Sequence, residues 1–319
     1  MTQGVTTGRL ERPPAPRAGA RKSRTRTNAL GLAFLVPSML CVGGAMLFAL
    51  VLLGAISLRD MELGTIEAIL SEPLSLVKFA DLFVDTATWR SFWVSLVYVT
   101  GSTVIPFAIG LGTALVLSQR MPGQRLLRTL TLVPWAVPGV TATVAFMWIM
   151  QPTYGVWNYI LRTFGLIEAD VNWFADSSTA LIAVIIPTSW KAYPFFTLML
   201  LAGLQSIPKE QYEAASLDGA GRLGKFRWVT LPGLAPFILI SVIFNAMYAF
   251  REFDFIYTST RGGPSGATET TAVRIFNLAF ESFDFGAASA LGVLTFVLVG
   301  VGVFFLLRRN YKGSLEGFL

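Results

Sequence analysis

The residues of this 319-residue chain best placed to do chemistry are polar side chains inside apolar stretches, together with one helical loop between two such stretches. The first stretch reads Pro187-Thr188-Ser189-Trp190-Lys191-Ala192-Tyr193-Pro194-Phe195, where Thr188, Lys191 and Phe195 share one helical face. In a second stretch, Asn245, Tyr248 and Glu252 also fall at helical spacing. Polar groups at membrane depth are costly, so they face a cavity or a neighbouring helix. The chemistry they offer is recognition rather than bond making: hydroxyls, amides and carboxylates exchange hydrogen bonds, and aromatic faces stack. Lys191 and Glu252 carry a second reading as an inter-helix ion pair, and Lys191 a third as an ammonium that snorkels to water. With no histidine and a single cysteine, Cys41, the chain has no Ser-His-Asp triad, imidazole metal site, intrachain disulfide or multi-thiolate site. No catalytic residue, metal ligand or cofactor site of its own is expected, and an enzyme would lack the carboxylate pair it needs inside the apolar runs.

The elements that must position these residues follow from composition. The chain is 54% hydrophobic and only 14% charged, against about 25% charged for a soluble domain, and its mean hydropathy is +0.60. Six long apolar runs cover about Ala29–Leu58, Phe92–Ser118, Thr129–Met150, Thr179–Ala202, Leu234–Tyr257 and Ala287–Leu307. Each meets the roughly 20 residues that a helix needs to cross a bilayer. Backbone polar groups cannot stay unpaired in lipid, and no ten-residue alternating segments suit a barrel, so an all-α membrane protein with six transmembrane helices is predicted. Pro134, Pro138 and Gly139 are expected to kink the third run or ease close packing, and Cys41 to be a small buried apolar group.

Charge orients the bundle. Arg9, Arg12, Arg17, Arg21, Lys22, Arg24 and Arg26 precede the first run, and Arg120, Arg125 and Arg128 follow the second. With Lys209, Arg222, Lys225, Arg227, Arg308, Arg309 and Lys312, these place 17 of the 25 basic residues on one side. The positive-inside rule therefore puts both termini in the cytoplasm. Residues 1–28 read as a disordered basic cytoplasmic tail with Pro13, Pro14 and Pro16, not a nucleic-acid-binding domain and not a cleaved signal peptide; residues 29–307 form the membrane domain, and 308–319 a second cytoplasmic tail. The outward loop from Arg59 to Ser91 is acidic and long enough for short interfacial helices, and Tyr154–Leu161 reads as an amphipathic helix at the outer interface.

The cytoplasmic loop 204–232, LQSIPKEQYEAASLDGAGRLGKFRWVTLP, starts as a helix. Pro208 suits a first turn, Glu210 and Glu213 suit the positive end of the helix dipole, Tyr212, Ala215 and Ser216 share a face, and Gly219 and Gly221 break it. Glu213-Ala214-Ala215 is followed by Gly219 and, nine residues later, by Val229-Thr230-Leu231-Pro232. This pattern resembles the cytoplasmic loop of permease subunits of ATP-binding-cassette importers. Asp218-Gly219-Ala220 and Phe226 resemble the carbohydrate branch, the maltose and glycerol-phosphate type, as does Gly262-Gly263-Pro264 followed by Ala267-Thr268-Glu269-Thr270, although Arg261 departs from it and the Gly-Gly-Pro alone reads equally as an ordinary turn.

The resemblance implies a type I ABC importer permease fold in a bacterial cytoplasmic (inner) membrane. Tyr212, Glu213, Ala214, Ala215, Asp218, Gly219, Leu231 and Pro232 would form the coupling surface. Thr188, Lys191, Phe195, Asn245, Tyr248 and Glu252 would line the solute pathway, in regions of broken helix. Partners would be a second homologous permease, a dimer of ATPase subunits holding ATP and Mg, and an extracytoplasmic solute-binding lipoprotein. No G-x-x-x-x-G-K-[ST] loop occurs, so the ATP chemistry belongs to another polypeptide. The expected cargo is a sugar, oligosaccharide or polyol. The alternatives are a glycerol-phosphate diester or other polar solute, with Arg251 and Arg261 near the outer mouth, and a stand-alone secondary transporter.

Overall fold

The computed structural model describes residues 35–60, 73–119 and 121–315. The predicted tail 1–28, the start of the first run, residues 61–72 of the acidic loop, Arg120 and residues 316–319 lie outside the described residues. Among the described residues every regular element is helical. The chain divides into two compact units, Met1–Leu53 and Gly54–Leu319.

The first unit contains most of α1, Leu35–Ser57, whose path includes a π-turn at Met39–Gly43. Its apolar window has 0% of its residues buried, and Cys41 is exposed, not buried as expected. An all-round apolar helix is dissolved by the bilayer and needs no protein core to cover its small side chains.

The second unit is built on α3 (Thr86–Leu117), α7 (Ala180–Ser206) and α9 (Leu231–Phe250). Helices α3 and α7 run parallel, Gly101 meeting Ile185 and Gly110 meeting Phe196 further along. A Cβ on Gly110 would fall 2.5 Å from that of Phe196, so glycine is what permits the close approach. Three apolar clusters fill this unit among the described residues: one around Tyr98, Val184, Phe255 and Ile256, one around Ala114, Phe196, Leu200 and Leu234, and a smaller one of Leu82, Ala290 and Leu291. The last long helix, α12, spans Phe285–Leu315. Short helices α2 (Val77–Val84) and α6 (Val156–Thr163) occupy two of the connecting segments, as the sequence predicts for both.

The third run departs furthest from a plain span. It forms α4 (Gln124–Ala136) and α5 (Gly139–Ile149), bent by 95°. Pro138, which follows the break, lacks an N–H and holds Val137 extended at φ −74°, ψ 131°. Five described helices are therefore long and apolar enough to cross a membrane, and six if this bent pair counts as one span. By contrast α7 runs unbroken through Pro187 and Pro194, where the resemblance implies helix breaks. Both prolines are buried among neighbouring helices, and Thr188 Oγ1 donates to Val184 O at 2.9 Å, conditions under which a membrane helix tolerates proline. The break near the fifth run comes at its end: α9 stops at Phe250, and α10 (Asp254–Thr260) begins after Arg251-Glu252-Phe253.

Candidate functional site

Polar residues of α3, α7 and α9, and of the link that follows α9, converge on one cavity of about 250 Å³. Its walls bring together all six residues singled out on the fourth and fifth runs: Thr188, Lys191, Phe195, Asn245, Tyr248 and Glu252. Trp135, at the end of α4, and Ser102, on α3, complete the polar and aromatic surface. The volume, about 250 Å³, lies just below the roughly 300–1,000 Å³ typical of small-molecule pockets.

The six residues are not equivalent. Thr188 is buried, and its hydroxyl pairs with that of Tyr98 at 2.8 Å, across from α7 to α3. The amide nitrogen of Asn245 donates to Ser102 O at 2.9 Å and to Thr103 Oγ1 at 3.0 Å, so one side of this amide is committed to holding α9 on α3. Tyr248 is 54% exposed and presents its ring and hydroxyl to the open space. Glu252 lies beyond the end of α9, so it reaches the cavity from a non-helical link rather than from the helical face shared by Asn245 and Tyr248. Only 8% exposed, it accepts a long 3.4 Å hydrogen bond from Phe255 N. Neither an ion pair with Glu252 nor snorkelling accounts for Lys191, whose ammonium donates to the backbone carbonyls of Trp135, at 3.2 Å, and of Val137.

Sequence reasoning missed Trp135 and Ser102 as cavity residues. Ser102 carries no pattern to set it apart on a long apolar helix. Trp135 has a readable signal, since an aromatic residue lies between Pro134 and Pro138.

The second feature is the 204–232 loop. Helix α8 spans Lys209–Leu217 with Pro208 at its N-cap. It ends on Gly219 at φ +79°, with Gly219 N donating to Ser216 O at 3.1 Å and Ala220 N to Ala215 O at 2.9 Å. This pair of bonds is a Schellman ending, which a left-handed glycine makes without strain. Glu213, Ala214, Asp218 and Gly219 are exposed, while Ala215 is partly covered. Tyr212 points back into the chain, its hydroxyl 3.0 Å from that of Thr230, and so anchors the helix. Leu231 and Pro232 are exposed but open α9 instead of lying on α8. Three large apolar side chains extend the exposed surface and were not singled out: Leu217, 91% exposed, Leu223 and Trp228. Their one legible signal was that apolar side chains occupied an otherwise polar loop.

At the other end of α3, Asp85 caps the helix, accepting from Ala87 N at 3.0 Å and from the Thr88 hydroxyl at 2.8 Å, and is paired with Arg274 of α11 (Thr271–Phe280). Burial works against its charged form. The Thr88 and Ala87 hydrogen bonds and the Arg274 charge outweigh it and hold the carboxyl below the usual aspartate range. Arg274 also reaches Glu269 at 3.4 Å, and Thr268 Oγ1 donates to Gly263 O at 2.7 Å, so the Gly-Gly-Pro segment is a tied loop rather than a bare turn. Nearby, Lys78 bridges Asp284 at 2.8 Å and Asp60 at 2.9 Å. Burial opposes its charge, but the two carboxylates prevail and raise its pKa.

A membrane bundle with a mainly apolar cavity that carries a few polar side chains, and a structured, exposed loop between two spans, fits a transport component rather than a soluble binding module. The chain belongs to the family of binding-protein-dependent transport system inner membrane components, whose model matches residues 104–313. It is a multi-pass membrane protein of that family. It is 40% identical to the trehalose/maltose transport system permease protein of Thermococcus litoralis over 66% of this chain and 70% of that protein. It is 35% identical to the sulfoquinovosyl glycerol transport system permease protein of Agrobacterium fabrum over 72% of this chain and 73% of that one. A crystal structure of a bacterial alginate ABC transporter, in complex with its alginate-bound periplasmic protein, shares the fold with a TM-score of 0.76 at 20% identity, covering 91% of this chain and 96% of that one.

Proposed function

We propose that this chain forms half of the translocation pathway of an ATP-driven importer and passes a neutral sugar, oligosaccharide or polyol delivered by an extracytoplasmic binding protein. The observation that carries this reading is the cavity. One carboxyl group, several hydroxyls, an amide oxygen and the aromatic faces of Trp135, Phe195 and Tyr248 converge there. Carboxylate and amide oxygens accept from sugar hydroxyls, and the aromatic faces cover the apolar C–H side of a sugar ring. The carbohydrate transport named for the Thermococcus and Agrobacterium relatives supports the same cargo class. A phosphodiester fits less well. The cavity's ammonium, on Lys191, is engaged by two carbonyls, which leaves no free cation among the lining residues to pair with a phosphate.

In this reading both termini and the α8 loop face the cytoplasm. A second, homologous permease closes the pathway from the other side, and a dimer of ATPase subunits binds ATP and Mg. Exposed Glu213, Ala214 and Asp218 meet a groove on one ATPase, Ala215 allows the close approach, and Gly219 provides the turn. This chain contributes no catalytic group and acts as the lever that converts closure of the ATPase dimer into a switch of access.

The test is solute-stimulated ATP hydrolysis by the complex reconstituted with its binding protein. Neutral oligosaccharides stimulate and glycerol phosphodiesters do not. Glu252→Gln, which keeps the shape but exchanges one carboxyl oxygen for an amide nitrogen, raises the half-saturating sugar concentration severalfold. Stimulation by phosphodiesters alone would overturn the cargo assignment, and uptake that survives an ATPase-dead partner would overturn the ATP-driven one.

A further inference from the structure

Lys191 sits near the middle of α7, yet its charge is met by no carboxylate among the described ion pairs. Instead the ammonium donates to the carbonyls of Trp135 and Val137, on either side of Ala136, where the third run breaks. The last carbonyls of a helix lack intrahelical partners and carry the negative end of its dipole. Next to this break stands Pro138, whose nitrogen cannot donate. Unpaired carbonyls in an apolar surrounding are costly, and a positive side chain supplies the partner that the bend takes away from Trp135 O and Val137 O.

The neighbouring residue grips the other half. Trp190 packs edge-on against Phe146 of α5, their ring centroids 5.5 Å apart. On the far side of the break, Asp254 Oδ2 lies 3.3 Å from where a side chain on Gly139 would begin, next to the start of α5. A cation at the end of α4 and an anion at the start of α5 match the polarity of the two half-helices. The bend of 95° is thus pinned from α7 and α10, and Trp135, 63% exposed, projects into the cavity from the pinned end.

We propose that Lys191 is a positioning residue. From α7 it holds the unwound link Ala136-Val137-Pro138, and so sets Trp135 as a wall of the cavity, rather than contacting solute itself. This rests on the cavity being the solute pathway only for its consequence in transport; the hold on the break stands on geometry alone. The two parts are read separately.

The structural readout uses the full complex in a Cys41→Ser background, with Val137→Cys as the reporter. Val137 is half-buried, packed against the cluster that includes Tyr98 and Phe255. A membrane-impermeant maleimide should label this cysteine slowly. Adding Lys191→Met, which keeps length and loses the donor, should raise the labelling rate about tenfold, the effect of losing a charge-assisted hydrogen bond. Lys191→Arg should restore it to near the parent rate. Equal labelling with Lys191 and with Met overturns the proposal. The transport readout, without the reporter, is the split between KM and maximal rate. Lys191→Met should lower the maximal solute-stimulated rate severalfold while changing KM less than twofold. A KM rise that varies with the solute, at unchanged maximal rate, would make Lys191 a solute contact and overturn the positioning role. Altered labelling with transport wholly unaffected would leave the hold intact and remove this cavity from the pathway.

Discussion

The Asn245 side chain crosses from α9 to α3, and Asn245→Ala removes both of its hydrogen bonds there, to Ser102 O and Thr103 Oγ1. Side-chain hydrogen bonds between membrane helices average about 0.6 kcal/mol, with an upper value of about 1.7. Two bonds therefore contribute about 1–3 kcal/mol to the docking of α9. The site is only 6% exposed, so water does not readily replace the lost donor. Thr103→Val removes one of the two acceptors and should cost about half as much. The assay is thermal denaturation of the complex in lipid nanodiscs, for the parent, both single variants and the double variant. A loss of this size lowers the midpoint by a few degrees for a chain this large. Asn245→Ala should show that loss, and the Asn245–Thr103 cycle should return a coupling of about 0.6 kcal/mol. If Asn245→Ala melts with the parent and only weakens solute binding, the amide nitrogen serves the solute and the assignment of its bonds to α3 is wrong.

The capping glycine gives a prediction for coupling. Gly219→Ala places a Cβ on a residue at φ +79°, a strain of about 1–2 kcal/mol, and should uncouple ATP hydrolysis from solute while membrane insertion, measured by fractionation, stays normal. The carboxyl of Asp85, held below its ordinary range, yields a pH dependence. Its folded-state pKa is depressed, so its contribution is complete above about pH 4 and is lost as pH falls through the carboxylate range. Asp85→Asn should make the acid limb of the stability profile shallower in denaturation scans between about pH 2 and 5, and an unchanged limb would contradict the pairing with Arg274. At the alkaline limit Lys78, raised by its two carboxylates, stabilises below the usual lysine pKa and releases that stabilisation as pH rises through its own value. Lys78→Met should flatten that limb in the same scans.

Much of the fold was legible because the bilayer imposes its own arithmetic. The spans at 92–118 and 179–202 match α3 and α7 to within a few residues, since a helix crossing lipid needs a minimum apolar length wherever it packs. The α8 helix and its glycine stop were legible for a local reason, as proline entry, early acids and a left-handed glycine act within one or two turns. The cavity residues on α7 and α9 were found because helical spacing puts polar groups on one face, and those faces do meet.

What those side chains do once they meet depends on the partner across the gap. Lys191 holds a broken helix end, Asn245 turns its amide toward α3, and Tyr212 faces inward to Thr230. Each partner lies many residues away along the chain, so no local spacing encodes it. The right-angled break between α4 and α5 is of the same kind. Pro134 and Pro138 mark a weak point in the sequence, but the angle is held by Trp190 and Lys191 from another helix. Composition and helical period determined that this is a membrane bundle, which faces are polar and where the loop helix stops. Tertiary packing alone decided which polar groups remain open to a solute, because burial makes every donor seek an acceptor and only the assembled bundle sets which are within reach.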